Sequence, residues 1–532
     1  MKLSKYKVLI SSALLFGFSS CVGDLDVEPT NPDTKMELTS AEEYLSLLAR
    51  AYGGLVMEGG ISVDDGGAGV YTRQLFNQQE LTTDECVIIG WDDAGIREMV
   101  YALPSKTNHW VYEMFSRINY QIAVCNAFIR DIDKAGAFFP ESEIREMKAE
   151  ARVLRDLSYY HMIDIFGRGP WTTEDSQVGV TPPTYNRQQL YDAIVNDLVN
   201  ALPLVKPAAQ QSYGRVSREG GYALLAKMYL NAGVYLYNDG SRGEWQKCAE
   251  ACQEILKTVN TLEDHYEYLF CGDNENFVAC AENGTAHEIL WTIPQDALTM
   301  QTYGGTTYLS GGGYASSANN KIYGLNKDPW QGPHMRPETV NSFSSGDKRA
   351  LFYAGEFEND LWNLDSWGGA GTCGYQCIKF VYTPHNDYYN QEQEDGSMGE
   401  PGTGIHLAPD IFNSADFPLF RVADIYLMLA ECQMNGVECN GEYYYNQVRI
   451  RAGLGSGFPL PDKEGLLAER NRELYWECHR RSDMIRLGFY TGSTYNWQWK
   501  SGEQGGNALP AYRSLMPIPT QFEPTLGQNE GY

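Results

Sequence analysis

The chain is 532 residues long, with 41 Lys and Arg against 69 Asp and Glu, 43% apolar and 13% aromatic residues, and 12 Cys. A formal charge of −28 leaves no basic excess to displace counterions from phosphates, which argues against a nucleic-acid partner. With 36 Tyr and 11 Trp, this is the composition of a folded, aromatic-rich acidic protein and not of a disordered tail, a coiled coil or a polytopic membrane protein.

The N-terminus carries three lysines before a mostly apolar stretch from Val8 to Phe18. That stretch is shorter than the roughly 20 residues of a membrane span, so residues 1–20 read as a signal peptide. It ends Phe18-Ser19-Ser20-Cys21, which resembles a bacterial lipobox, in which the Cys thiol is diacylated and becomes the first mature residue. Cys21 is thus the expected lipidation site and its acyl chains the expected hold on a membrane. An ordinary cleaved signal with a chance Cys is the alternative.

Residues 21–40 are polar and Pro-containing and read as a tether. Ser40 with Glu43 forms a capping box, and a helical pattern runs over 41–57. Residues 58–104, rich in Gly and Asp, read as loop; a helical pattern then covers 106–133. The clearest helix is 141–166, where Ile144, Met147, Ala151, Leu154, Ser158, His161 and Ile165 recur at helical steps, and it stops at Gly167-Arg168-Gly169-Pro170. On that stripe His161 is a core histidine. Arg187–Ala201 forms a helix ended by Pro203, and 217–237 with 243–258 make a helical pair around the Asn238-Asp239-Gly240 turn. From 261 to 418 the texture changes to clusters of Gly, Tyr, Asn and Trp with strand-like pieces such as Glu288–Ile293; long loops of this kind are usually functional. Helices return at 421–435, 442–452 and 463–487, before an irregular tail from 491.

The expected fold is mostly α: one domain over 41–532, with a tetratricopeptide-like scaffold of helical hairpins at 41–260 and 419–490 and a large loop-rich insertion containing short strands at 261–418. Among the cysteines, Cys248 and Cys252 sit at i,i+4 and are expected to be buried. Cys271/Cys280, Cys373/Cys377 and Cys432/Cys439 are near enough in sequence to pair. No C-x-x-C twin or His cluster accompanies them, so no zinc site is expected.

Six stretches carry a family resemblance: Glu150–Trp171 (EARVLRDLSYYHMIDIFGRGPW), Gly214–Leu230 (GRVSREGGYALLAKMYL), Phe417–Gln433 (FPLFRVADIYLMLAECQ), Asn446–Leu454 (NQVRIRAGL), Glu469–Gly488 (ERNRELYWECHRRSDMIRLG) and Leu515–Tyr532 (LMPIPTQFEPTLGQNEGY). With the lipobox they are similar to the SusD/RagB family of Bacteroidetes outer-membrane lipoproteins along nearly the whole mature chain. The resemblance implies about four tetratricopeptide-like helix pairs carrying a variable, loop-rich ligand face. It also implies a partner, a SusC-like TonB-dependent outer-membrane transporter barrel on which such proteins sit as a hinged lid. Asp24 and Asp26 resemble the acidic signal that sends such lipoproteins to the outer face of the cell. The motifs themselves are scaffold, and Arg480, Asp483 and Arg486 among them are expected to form a structural network.

No nucleophile elbow, H-E-x-x-H, P-loop or dinucleotide fingerprint is present, so no catalytic residue and no cofactor are expected. Adjacent carboxylates at Asp64-Asp65 and Asp92-Asp93 leave a glycoside hydrolase as a remote alternative by residue type. Asp273-Asn274-Glu275-Asn276 has oxygen ligands for calcium without the spacing of a defined loop, and no metal site is expected. Sugar binding asks instead for flat rings to stack on, with amides, carboxylates or Arg for the hydroxyls. Trp91 and Asp92 with nearby Arg97, Tyr303, Tyr308, Tyr314 and Trp330, and Trp362, Asn363 and Trp367 offer these in the loops. The resemblance points to Trp91 and Trp330 first and Tyr308 third, while Trp110, Trp291 and Trp171 read as core or scaffold. The expected function is a cell-surface glycan-binding lipoprotein that delivers oligo- or polysaccharide to its transporter, with a RagB-like peptide binder as the runner-up.

Overall fold

The computed structural model describes residues 38–58, 69–88, 94–177, 179–311, 323–325, 327, 330, 332–353, 374–388, 408 and 410–532. Helix α1 (Ala41–Gly53) starts at the expected cap: Ser40 Oγ accepts the Glu43 N–H, and the Glu43 carboxylate accepts the Thr39 N–H.

The stretch read as loop from 58 to 104 holds more order than its composition signals. It contains α2 (Tyr71–Gln79), β1 (Cys86–Ile88) and a short helix at Ile96–Val100. α2 is enclosed on nearly every side: Gln74, Asn77, Gln78 and Gln79 are as buried as Leu75 and Phe76, so no apolar stripe exists to be read. Internal partners hold its polar groups, Gln79 by Asp164 and Gln78 by the Trp110 carbonyl.

The scaffold follows as packed helices. α3 (His109–Ile132) lies on α4 (Glu141–His161), and α5 (Arg187–Ala201) on α4. α6 (Arg218–Leu230) packs on α7 (Trp245–Leu256), α8 (Val422–Met434) on α9 (Gly441–Arg451), and α10 (Lys463–Leu474) on α11 (Arg480–Leu487). α7 also packs on α8, which closes the scaffold across the insertion. This is the mostly helical hairpin architecture expected from the sequence.

Three expected helices are interrupted. The 141–166 pattern ends in a π turn, Met162–Phe166, where the Gly167 N–H reaches the Met162 carbonyl at 3.1 Å. The 217–237 pattern breaks at Asn231. The 463–487 pattern breaks at 475–479, where Trp476 and Cys478 take left-handed φ values of 64° and 65°. Two buried carboxylates stabilise that costly turn: Glu85 accepts the Trp476 N–H and Glu80 the His479 N–H, each at 2.9 Å.

Short antiparallel strand pairs join distant segments. β2 (Arg168–Pro170) and β3 (Thr184–Asn186) place Arg168 opposite Asn186. β5 (Pro333–Met335) pairs with β1, setting Pro333 opposite Ile88, and β6 (Phe352–Tyr353) pairs with β7 (Gln376–Cys377). β4 (Ile289–Ile293) pairs with β8 (Phe417–Arg421), with Ile293 opposite Phe417.

An ionic network fills the space between the insertion and α9–α10. Arg421 lies 2.6, 3.0 and 2.7 Å from Glu288, Glu473 and Glu477; Arg349 binds Asp347, Glu469 and Glu473; Arg451 binds Glu288 and Glu473; and Lys379 binds Glu477. None of these side chains is more than 4% exposed. Burial alone would raise the Glu469 pKa, but the Arg349 and Arg472 charges hold it down at about 2. Arg480, Asp483 and Arg486 are structural as expected: Arg480 pairs with Asp84, and Asp483 is shared by Arg470 and Arg486.

The described cysteines are free thiols, nearly all buried. The pairings suggested by sequence proximity are therefore not made at Cys271/Cys280 or Cys432/Cys439, and Cys373 lies outside the described residues. Each is held by packing instead, as where Cys439 Sγ approaches the Leu429 carbonyl and Cys271 Sγ that of Glu267. Among the described residues no helix is long and apolar enough to cross a membrane, and no cluster of His, Cys, Asp and Glu has the geometry to hold a metal ion.

Candidate functional site

Several residues expected to meet a ligand lie outside the described residues: Trp91, Asp92, Tyr314, Trp362, Asn363 and Trp367, together with Asp64, Asp65, Asp93 and the lipidation site Cys21.

Trp330 is half-buried, with its side chain packed against the main core and its backbone N–H donating to the Gly311 carbonyl at 3.2 Å. Its ring meets Tyr303 edge to face, centroids 5.8 Å apart at 69°. Tyr303, 44% exposed, meets Phe412 at 5.3 Å and 57°. Three partly exposed rings thus form one rim. The Ala297 N–H donates to Ser414 Oγ, which brings the 73% exposed Leu298 towards the Phe412 segment. Large apolar groups left in water next to one another mark a binding surface more often than a packing accident. Asp410, two residues before Phe412, pairs with Lys327 at 2.7 Å on the surface, a polar pair suited to sugar hydroxyls.

Tyr308 does not join them, contrary to the sequence expectation. It is 2% exposed, the Arg73 guanidinium covers its ring at 4.4 Å, the Phe76 edge meets it at 6.0 Å, and its hydroxyl donates to Asn77 Oδ1 at 3.1 Å. The reason is local: the Gly-rich text at Gly305–Ser310 folds as a short helix whose six residues are all buried. Tyr308 is part of the foundation beneath the rim. That foundation is tied to the segment before Phe412, with Thr306 Oγ1 donating to the Ala415 carbonyl and Asn413 bonded to Thr307 and Ser310. Gly304 permits the close approach, since a Cβ there would lie 2.5 Å from Val70.

The foundation also reaches the Trp91 segment. Arg73 stands 5.2 Å from the Trp110 ring as well, and Trp110 Nε1 donates to the Ala94 carbonyl at 3.1 Å. On the other side Ile88 opposes Pro333 in the β1–β5 pair, three residues after Trp330. Both anchors of residues 89–93 therefore sit against the elements that carry the aromatic rim.

The aromatics expected in the core or scaffold are found there. Trp110 and Trp291 are buried, and Trp171 stacks on Tyr185 at 5.4 Å and 3°. His161 is buried and hydrogen-bonded to the Tyr71 hydroxyl at 2.7 Å; burial pushes its pKa down to about 4. Arg97 is exposed on the short helix after the Trp91 segment. The Asp273 and Asn274 side-chain oxygens are engaged by protein groups: Asp273 accepts from the His385 backbone and ring, and Asn274 Oδ1 accepts the Asp416 N–H. Phe412 escaped the sequence reading, because one Phe in a loop before a scaffold strand carries no periodicity.

The comparisons with known proteins match this picture. One family model, described as the SusD family, matches residues 287–532, and a second, described as starch-binding associating with outer membrane, matches 62–230. The chain belongs to the SusD family. It is 27% identical to the starch-binding protein SusD of Bacteroides thetaiotaomicron across 100% of both chains. Identity to the SusD-like protein P25 of Formosa agariphila is 26%, over 74% of this chain and 73% of that one. Among solved structures it resembles surface glycan-binding protein A from Bacteroides thetaiotaomicron in complex with laminarihexaose (TM-score 0.66, 19% identity, 92% of this chain and 100% of the other). A SusD superfamily protein from Parabacteroides distasonis gives a TM-score of 0.68 at 21% identity, over 93% of this chain and 100% of the other. In this SusD-family chain the helical hairpins are the shared fold, and the rim is built on the insertion.

Proposed function

We propose that this protein is a cell-surface glycan-binding lipoprotein, held on the outer membrane through Cys21, which captures oligo- or polysaccharide and passes it to a SusC-like TonB-dependent barrel. The observation that carries the reading is the Tyr303–Trp330–Phe412 rim over the buried Tyr308 and the Arg73 that covers it, with the anchors of the Trp91 segment nearby. Rings fixed by packing before the ligand arrives bind sugar faces with little ordering cost, and several weak stacking contacts along one polymer add up. Trp91, Asp92, Trp362 and Trp367 are the further ligand contacts this reading takes from the sequence. The relatives named for starch and glycan binding support the choice of sugar.

The test is calorimetry of the soluble body against a panel of plant, microbial and host glycans, with peptides as controls. Saturable glycan binding that Trp330→Ala and Tyr303→Ala both weaken is the expected result. Binding of peptides alone would replace the sugar reading, and release of reducing sugar would replace the binding reading. Co-purification of a barrel that depends on Cys21 and survives Trp330→Ala checks the transporter partner separately.

A further inference from the structure

The scaffold carries a second concavity, a groove of about 920 Å³, and none of the rim residues Tyr303, Trp330 or Phe412 lines it. Its walls come from the β2–β3 hairpin, the start of α5, the turn after the short helix Ala232–Tyr237, the start of α10, the end of α11 and two stretches of the C-terminal tail. Most of the wall is neutral, and its charges are unusual for this chain.

The hairpin register sets Arg168 opposite Asn186, so Arg168 and Arg187 come to the groove together. Their hydrogen bonds run to neutral oxygens. Arg187 Nη1 donates to the Val234 carbonyl at 3.1 Å and to Asn238 Oδ1 at 2.8 Å, and Arg168 Nη1 donates to the Leu526 carbonyl at 3.2 Å. Among the described residues neither guanidinium pairs with a carboxylate. Arg486, which also lines the groove, shows the contrast, held by Glu431 and Asp483 at 2.8 Å each. Lys463, the first residue of α10, adds a third cation; the acidic lining residues are Asp239, on which the Lys463 and Arg242 charges act, and Glu530. Asp239 is engaged locally by the Ser241 N–H and hydroxyl at 2.9 and 2.6 Å. In a chain with 69 acids and 41 bases, this groove inverts the balance. Burial lowers the Arg187 pKa, and the Tyr235 and Asp164 groups that oppose the shift do not restore it. A largely enclosed cation with no carboxylate bonded to it is a cost to the fold that a bound anion reduces.

We propose that this groove is a second ligand site, for a sugar that bears a carboxylate. Its carboxylate sits on Arg168 and Arg187, in the forked geometry that guanidinium groups favour, and its hydroxyls meet Asn238, Ser241 and Thr491. The volume falls in the range of small-ligand pockets, about 300–1,000 Å³, which suits a short oligosaccharide and not a long polymer. Asp239 and Glu530 disfavour ligands of denser negative charge. The site stands apart from the aromatic rim and does not depend on glycan capture there.

The test is calorimetry on the full mature chain with short oligogalacturonates and oligoglucuronates, neutral oligosaccharides of equal length, and inorganic sulfate. Saturable uronate binding is expected, weakening with added salt, reduced about tenfold or more by R168Q and unchanged in W330A. R187Q should act in the same direction; R168K, which keeps the charge and loses the fork, should fall between. Since R187Q also removes a link from α5 to Val234, its melting temperature is read beside its affinity, and R168Q decides if that fold is lost. No uronate binding, equal binding of the neutral oligosaccharides or of sulfate, indifference to R168Q, or loss of uronate binding in W330A would each overturn the proposal.

Discussion

Around Arg421 the molecule places nine charged side chains where water does not reach, and around Trp330 it leaves three rings partly in water. The usual assignment of charge to the surface and rings to the core is reversed in both places. In the first, every charge has an opposite partner and most have several, so the arrangement is stable only if complete. In the second, the rings pack on one another and on the core beneath, so the parts left in water are held in place before any ligand arrives. The same chain therefore invests its folding specificity in one region and its recognition in the other, and substitutions should separate the two.

The largest effect is expected from Arg421→Ala, which strands Glu288, Glu473 and Glu477 without their shared cation. It should cost about 3–5 kcal/mol in denaturant melts, with affinity per folded molecule unchanged. Next comes a pH effect at Glu80, whose carboxyl is pushed up to about 7 by burial. A carboxyl raised in the folded state favours folding most below its ordinary value near 4.5, and that contribution declines as pH climbs towards 7. Glu80's contribution should therefore slope downwards across that window, by at most about 1.4 kcal/mol per pH unit, and Glu80→Gln should remove that part of the pH dependence.

On the rim the expectations reverse. Trp330→Ala should weaken glycan binding by about 1–3 kcal/mol, on the scale of ring stacking against nucleic-acid bases, while its melting curve moves by less than the Arg421 variant's. Smallest of all, Tyr308→Phe removes only the hydroxyl bonded to Asn77 and should cost about 1 kcal/mol of stability. A loss of affinity in that variant larger than in Trp330→Ala would move Tyr308 from foundation to contact surface.

How much of this was legible in the sequence follows from the kind of signal each part leaves. α4 and α5 show their apolar stripes and were placed within a few residues of their observed ends. α2 shows none, because burial on nearly every side leaves no contrast between faces. The break at Trp476 and Cys478 was invisible because what bends the chain there is a pair of carboxylates from Glu80 and Glu85, almost four hundred residues earlier. At the site the Gly-rich text treated Trp330 and Tyr308 alike, yet the first is partly exposed and the second buried, since loop composition does not distinguish a residue standing on a turn from one tucked under it.

The pairing of Ile293 with Phe417 means that everything from 294 to 416 leaves and rejoins the scaffold at adjacent points. For a segment closed in that way, the entropy of bringing its ends together grows only with the logarithm of its length, about 0.6 kcal/mol for each doubling. Residues could be added to or removed from the middle of that excursion at small thermodynamic expense, provided the two-stranded clasp and the Arg421 network behind it are kept. Such a fold can change the shape of what it holds without renegotiating how it stands.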